Sequence, residues 1–257
     1  TLRVAIPTTG VVAGDKIRLS YLGQTQTAVA ITPTNIANGY VDIQLTIPLQ
    51  DPNSNLNSVP VKWIDWTAYN SSTRTVTGSF TTETGQVIGA TFTSSVDLNF
   101  VQLGTAGQTN YFAANSGAPY TSPGVAAPTT ADIISFTHAG TRTITFSQQV
   151  SNLYFNVVSM EYNGYRFDQD FDIISQSSST GAGHFGWGTL GKREVLINGV
   201  RKYELYDAGS GINGISGGDG NGGQPHGTIR FKGSFSTLTW ENPTYENWHG
   251  FTIGIKT

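Results

Sequence analysis

Alternation with a period of two runs through this chain and restricts it to β structure. Between Tyr40 and Ile47, Val41, Ile43, Leu45 and Ile47 share one parity, while Asp42, Gln44 and Thr46 share the other. Successive side chains of an extended strand point to opposite faces, so the segment reads as a strand with one buried and one wet face. Comparable early segments are Leu2–Ile6, Lys16–Leu22, Gln26–Ile31 and Val59–Tyr69. Later ones are Thr75–Thr81, Gln86–Thr93, Thr141–Phe146, Asn152–Val158, Tyr165–Ile174, Thr228–Phe231, Phe235–Trp240 and Phe251–Lys256. Almost no stretch shows capped helical periodicity. The 31 glycines, with many Thr and Ser, suit short strands joined by tight turns. With 13 Phe, 11 Tyr and 5 Trp the chain is too aromatic to be disordered.

The spacing of turn signals divides the sequence. Gly14-Asp15, Gly23, Asn38-Gly39 and Asp51-Pro52-Asn53 punctuate the first part at intervals suited to a small Ig-like sandwich. A polar stretch, Asn70-Ser71-Ser72-Thr73, suits a linker. The expected organisation is all-β: an Ig-like domain over residues 1–72 and a larger jelly-roll-like sandwich over 73–257, built from about a dozen strands. Two stretches of the larger part are poor in strand signal, Gly104–Thr130 and the Gly-rich Asp207–Gly227. Long loops in a compact domain are commonly functional, which places the expected binding surface there.

Composition removes whole classes of function. Charged residues make up 12% of the chain and the formal net charge is −3, so no basic footprint for nucleic acid exists. With no Cys, thiol catalysis, disulfides and Cys-ligated zinc are excluded. No apolar run approaches the ~18–20 residues of a membrane-spanning helix. The first residue is Thr1 rather than Met, and the chain is read as an excised or processed piece of a larger protein with flanking domains.

The segment VVAGDKIRLSYLGQTQTAVAITPTNIANGYVDIQL resembles the Ig-like repeats of giant bacterial adhesins, in which "AGD", a short strand, a "Q-T" strand and a "G-x-V" strand follow in the same order. The later stretches TITFSQQVSNLYFNVVSM, YRFDQDFDIIS and GTIRFKGSFSTLTWENPTYENWHGFTIGI resemble a β-sandwich domain of secreted and surface-anchored bacterial proteins. The pairing implies a ligand-binding module behind a stalk repeat at the bacterial cell surface, meeting a glycan or peptide on a host cell, another bacterium or a biofilm matrix. No residue roles come with the resemblance.

Candidate site residues follow from local chemistry. Trp187, flanked by glycines in Gly183-His184-Phe185-Gly186-Trp187-Gly188, suits an exposed stacking platform for a sugar, with His184 beside it. Asp219, Asn221 and His226 offer hydrogen-bonding groups from the Gly-rich stretch, and Tyr120 lies in the other long loop. Asp168, Asp170 and Asp172 share one parity in Tyr165–Ile174; they form either a solvated edge face or a calcium site of hard oxygen ligands. Calcium is therefore the expected cofactor. Trp240 reads as core, and Trp63 and Trp66 as core or interface residues of the first domain.

Other motifs carry less. Gly214-Ile215-Ser216-Gly217-Gly218 matches a hydrolase pattern but lacks the strand before it and the helix after it. His138, His184, His226 and His249 have no zinc-motif spacing. Glu161, Asp168, Asp170 and Glu204 are the acids a polysaccharide-degrading enzyme would draw on, since that chemistry needs two carboxylates flanking a cleft. The expected function is a non-enzymatic surface adhesin fragment that binds an extracellular glycan. A peptide-binding module, a polysaccharide-degrading enzyme and a purely structural stalk stand as alternatives.

Overall fold

Val41 and Ile43 are buried and Asp42 between them is exposed, so the alternation holds over 40–43, while the rest of that segment, 44–47, lies outside the described residues. The computed structural model describes residues 2–7, 9–17, 20–21, 24–25, 28–43, 59–113, 119–177, 188–208 and 224–256. Within these the chain is all-β, arranged as two sandwich-like compact units, Thr1–Ser58 and Val59–Thr257. No described helix is long and apolar enough to cross a membrane.

In the first unit β1 (Leu2–Ala5) pairs antiparallel with β6 (Tyr40–Ile43). Between them β2 (Lys16–Ile17) pairs with β5 (Val29–Ala30), and β3 (Ser20–Tyr21) with β4 (Gln24–Thr25). Ile6, Ile31, Val41 and Ile43 form its core. One short helix, α1 (Pro33–Asn38), was not anticipated, although its capping chemistry is written in Thr32-Pro33-Thr34-Asn35. Thr32 Oγ1 accepts from Asn35 N at 3.1 Å, Asn35 Oδ1 accepts from Thr32 N at 2.9 Å, and Gly39 closes the helix at φ 72°.

The second unit begins with β7 (Lys62–Trp63), β8 (Asp65–Asn70), β9 (Thr75–Thr81), β10 (Val87–Ser94), β11 (Val101–Gln102) and β12 (Ile133–Phe136). It continues with β13 (Gly140–Ser151), β14 (Leu153–Val158), β15 (Gly164–Phe167), β16 (Phe171–Gln176) and β17 (Leu190–Ile197). The last strands are β18 (Val200–Asp207), β19 (Gly227–Phe231), β20 (Ser234–Asn242) and β21 (His249–Ile255). One sheet is eight-stranded, in the order β17-β18-β15-β20-β13-β10-β9-β8. The other is seven-stranded, in the order β11-β12-β21-β14-β19-β16 with β7 added beside β21. Aromatic side chains from both sheets fill the space between them. Phe155 and Phe251 stack with centroids 4.7 Å apart, and Trp240 of the other sheet stands edge-on to both at 5.6 and 5.3 Å.

Three expectations are corrected. The segment Val59–Tyr69, read with the Ig-like part, belongs to the second unit: β7 pairs with β21 and β8 with β9, and Trp66 is fully buried in the large core. The units accordingly divide after Ser58, ahead of the polar stretch at 70–73. The run Tyr165–Ile174 is not one strand. β15 lies in one sheet and β16 in the other, and the chain turns the corner through Asp168-Gln169-Asp170. That turn lets Phe167 and Phe171 both face the interior from opposite sheets, with rings 5.7 Å apart. Finally, two aromatics of the stretch 104–130 are not displayed: Phe112 and Tyr120 are fully buried and pack with Ile133 and Val158 in a second small core, with Tyr111 half-buried against it.

These assignments predict different outcomes for two fragments. Residues 59–257 should melt cooperatively as a β protein by circular dichroism. Residues 74–257 lack β7 and β8, and so lose the buried Trp66. Deleting a buried Trp side chain alone costs ~3–5 kcal/mol. The shorter fragment should be unfolded or melt far lower, and equal melting temperatures would refute the placement of β8.

Candidate functional site

The chain between β14 and β15 has to pass from one sheet to the other through Ser159–Asn163. It does so with two non-glycine residues in the left-handed region, Ser159 at φ 58° and Tyr162 at φ 44°. Such conformations cost free energy and persist where the surroundings over-determine them. Here nearly every polar group of the crossing is held. Met160 N donates to Pro225 O at 3.2 Å, Glu161 N to Glu246 Oε1 at 2.8 Å and Gly164 N to Asn163 Oδ1 at 2.8 Å. Asn163 Oδ1 also accepts from Thr244 Oγ1 at 3.0 Å, and its Nδ2 donates to Thr244 O at 3.2 Å. Ser159 Oγ reaches Gln224 Oε1 at 3.1 Å.

Behind this crossing lies an unusual amount of buried charge. Glu161, Asp207 and Glu246 are 2%, 0% and 1% exposed, and Arg142 and His249 are fully buried. Burial pushes the Glu246 carboxyl well above the usual carboxylate range. Hydrogen bonds from the Glu161 backbone and Asn163 oppose this, and the neighbouring Glu161 and Asp207 charges add to it. Glu246 Oε2 is buried with no hydrogen-bond partner among the described residues. Burial and the neighbouring carboxylates thus favour the protonated form of Glu246.

The tautomer of His249 follows from its neighbours. Asn163 Oδ1 accepts twice, so its Nδ2 is the donor facing His249 Nε2 at 3.4 Å. His249 Nδ1 then carries the proton and donates to Tyr165 Oη at 2.6 Å. Burial, then the nearby Arg142 charge, drives the His249 pKa well below its ordinary value, so the ring stays neutral. Arg142 donates to Gly140 O and His138 O at 2.5 and 2.6 Å, and its guanidinium lies 4.5 Å from the Phe136 ring centre. Burial lowers its pKa to about 10.

The same end of the sandwich carries the residues that bracket both glycine-rich segments. Ser177 N donates to His226 O at 2.9 Å and Ser177 Oγ to Gly188 O at 2.8 Å. Ala208 N donates to Thr189 O at 2.8 Å. Residues beside 178–187 and 209–223 are therefore cross-linked, 177 to 188 and 226, and 189 to 208. Gly227 permits this approach, because a Cβ there would lie 2.2 Å from Ser175 O.

The residues singled out from sequence fall into three groups. Trp187, His184, Asp219 and Asn221 lie outside the described residues. Tyr120 and His226 are brought together, with ring centres 6.1 Å apart, but both are fully buried, and Tyr120 Oη donates to Val157 O at 3.2 Å. They brace the sandwich end from inside, whereas an exposed position was expected of them. Asp168 stands apart from Asp170 and Asp172, which share one lysine. Asp168 Oδ1 accepts from Thr239 N at 3.1 Å, and burial raises its pKa. Asp170 is paired with Lys192 and, at 3.0 Å, with Lys232, whose ammonium also meets Asp172 at 3.1 Å. Burial works against the ionised Asp170, but the hydrogen bonds from Lys192 and Lys232 outweigh it and hold its pKa below the usual range. Lys232 thus supplies positive charge at the place where calcium was expected. Among the described residues no three His, Asp or Glu side chains are arranged to hold a metal ion.

Sequence reasoning missed the buried polar framework itself. Glu161 stood out only as an acid for hydrolysis and His249 only as a histidine without zinc-motif spacing, while Arg142, Asn163, Asp207 and Glu246 did not stand out at all. The available signal was charge embedded among core-type residues in a chain with few charges, as in Ser159-Met160-Glu161-Tyr162. The chain matches no protein-family model, no curated protein and no solved structure.

The protonated state of Glu246 is testable. A carboxyl whose folded pKa is raised stabilises fully below the unfolded value and loses that contribution as pH rises through the folded one. Glu246→Gln keeps the Oε1 acceptor and removes the ionisation. It should raise the melting temperature at neutral pH and flatten the stability decline as pH rises above the ~4.3 of an unfolded Glu. A variant less stable than the parent at neutral pH would mean that Glu246 is ionised and paired with a cation.

Proposed function

We propose that this chain is a fragment of an extracellular bacterial surface adhesin, and that its second unit is a non-catalytic glycan-binding module. The observation that carries the reading is the convergence at one end of the sandwich. The flanks of the two segments that contain His184, Trp187, Asp219 and Asn221 are hydrogen-bonded to each other there. Beneath them the crossing Ser159–Asn163 is fixed through Glu246, Asn163 and Pro225. Binding residues collect on loops that a rigid scaffold positions, and this end supplies such a scaffold. The first unit acts as a spacer that presents it.

The state of the acids favours binding over catalysis. Glycoside hydrolysis needs two carboxylates ~5–10 Å apart across an open cleft. Glu161 is buried, Glu204 is buried between Arg166 at 2.7 Å and Arg193 at 2.5 Å, and Asp170 is neutralised by two lysines. These carboxylates serve the architecture.

A glycan array probed with the full chain, with and without chelator, tests the proposal. Binding to a subset of glycans without product formation is expected, and loss of binding in chelator would identify a hard cation as a participant. Trp187→Ala should weaken binding roughly thirtyfold or more while leaving the melting temperature unchanged. Cleavage of a bound glycan, or a stable Trp187→Ala protein with unaltered affinity, would overturn it.

A further inference from the structure

A second concave surface lies toward the opposite end of β21. His249 of the buried framework starts that strand, while Trp63 pairs with Gly254 near its finish, roughly 16 Å along an extended chain. Between β7, β8 and the segment 126–130 runs a groove of about 510 Å³. That size falls within the ~300–1,000 Å³ typical of small-molecule sites.

The floor of the groove is an indole held in a set orientation. Trp63 Nε1 donates to Ala126 O at 3.0 Å, which fixes one edge of the ring. Its six-membered ring rests on the backbone of Gly254, where a Cβ would come within 2.6 Å of Cε3. The ring packs beside Val61, Val125 and Tyr154 yet stays partly exposed, and its remaining surface lines the groove. An immobilised aromatic platform costs little side-chain entropy when a ligand is laid on it.

The walls are hydroxyl-rich. Thr81 and Thr129 are exposed along the groove, with the exposed Asp65 carboxylate on the same lining. Lys62, at the rim, is paired with Glu83 at 2.7 Å. One flat apolar surface ringed by hydroxyls, a carboxylate and an ammonium matches a pyranose, which offers a C–H face for stacking and equatorial hydroxyls for hydrogen bonds. The wall is too polar for a lipid, and with Lys62 taken up by Glu83 and the Asp65 carboxylate exposed beside it, the groove offers no positive field for a phosphate.

The geometry points to this groove as a second carbohydrate subsite, with Trp63 as platform and a neutral oligosaccharide as ligand. It shares with the proposed function only the premise that the ligand is a saccharide, since its residues and those of the loop-bearing end are separate. Two subsites at opposite ends of one module allow a single polysaccharide chain, or two neighbouring ones, to be gripped with an effective concentration that neither subsite reaches alone.

The test is an NMR titration of the full, ¹⁵N-labelled chain, following the Trp63 indole N–H, with maltohexaose, cellohexaose and xylohexaose as probes. At least one probe should shift that resonance saturably. Thr81→Arg fills the groove from an exposed strand position, and should weaken binding at least tenfold, an estimate typical of blocking a hot spot, without lowering the melting temperature. Trp63→Phe keeps an aromatic ring but loses the indole N–H, so it is followed on the backbone amides of β7, and it should weaken binding less. Trp187→Ala should leave this titration unchanged while it weakens array binding at the other end, so the two sites fail independently. If no probe moves the Trp63 resonance, or Thr81→Arg binds as the parent does, the groove is not a carbohydrate site.

Discussion

The aromatic contact between the two sheets is the interaction on which the second unit depends. This chain has no disulfide and few charges, so burial has to supply the stability. Phe155, Phe251, Trp240, Tyr165 and Phe167 meet as alternating stacked and edge-on pairs, each worth ~0.5–1.5 kcal/mol beyond its burial. Each ring belongs to a strand that also pairs sideways, so the packing fixes which residues face inward and, with them, the register of both sheets. The corner at Asp168–Asp170 illustrates the consequence: the chain changes sheets there because Phe167 and Phe171 both reach the same interior.

The end of the sandwich operates under the opposite constraint. Uncompensated charge inside a protein is costly, and here three carboxylates, one guanidinium and an imidazole are enclosed together. The resolution is chemical. Burial favours the protonated form of Glu246 and the neutral ring of His249, and amide, hydroxyl and backbone groups satisfy most of what remains. A network of this kind stabilises little compared with an apolar core but admits few alternative arrangements. That property suits an end that must hold two long connections in place.

Much of the fold was legible in the sequence, because strand alternation and core aromatics are local signals. Val41 and Ile43 are buried as their parity required, and Trp240 is core. What escaped depended on partners distant in sequence. Whether Val59–Tyr69 joined the first or second unit turned on pairing with β21 and β9, which no local pattern encodes. Asp168, Asp170 and Asp172 share a parity only if the strand is continuous, and burial of two phenylalanines breaks it. Tyr120 and His226 sit in glycine-rich surroundings that suggested exposure, yet each closes over the small core beside Val158. The helix at Pro33–Asn38 was visible in its capping residues but too short to register as a period.

The account rests on one claim: the end that anchors both glycine-rich segments is where a glycan is held. Hydrogen–deuterium exchange on the full chain, with and without the strongest glycan from the array, measures this directly. The account predicts that bound glycan adds protection in peptides spanning 177–190 and 207–227, together with the crossing at 159–163. Protection absent from those peptides while glycan is demonstrably bound would contradict it.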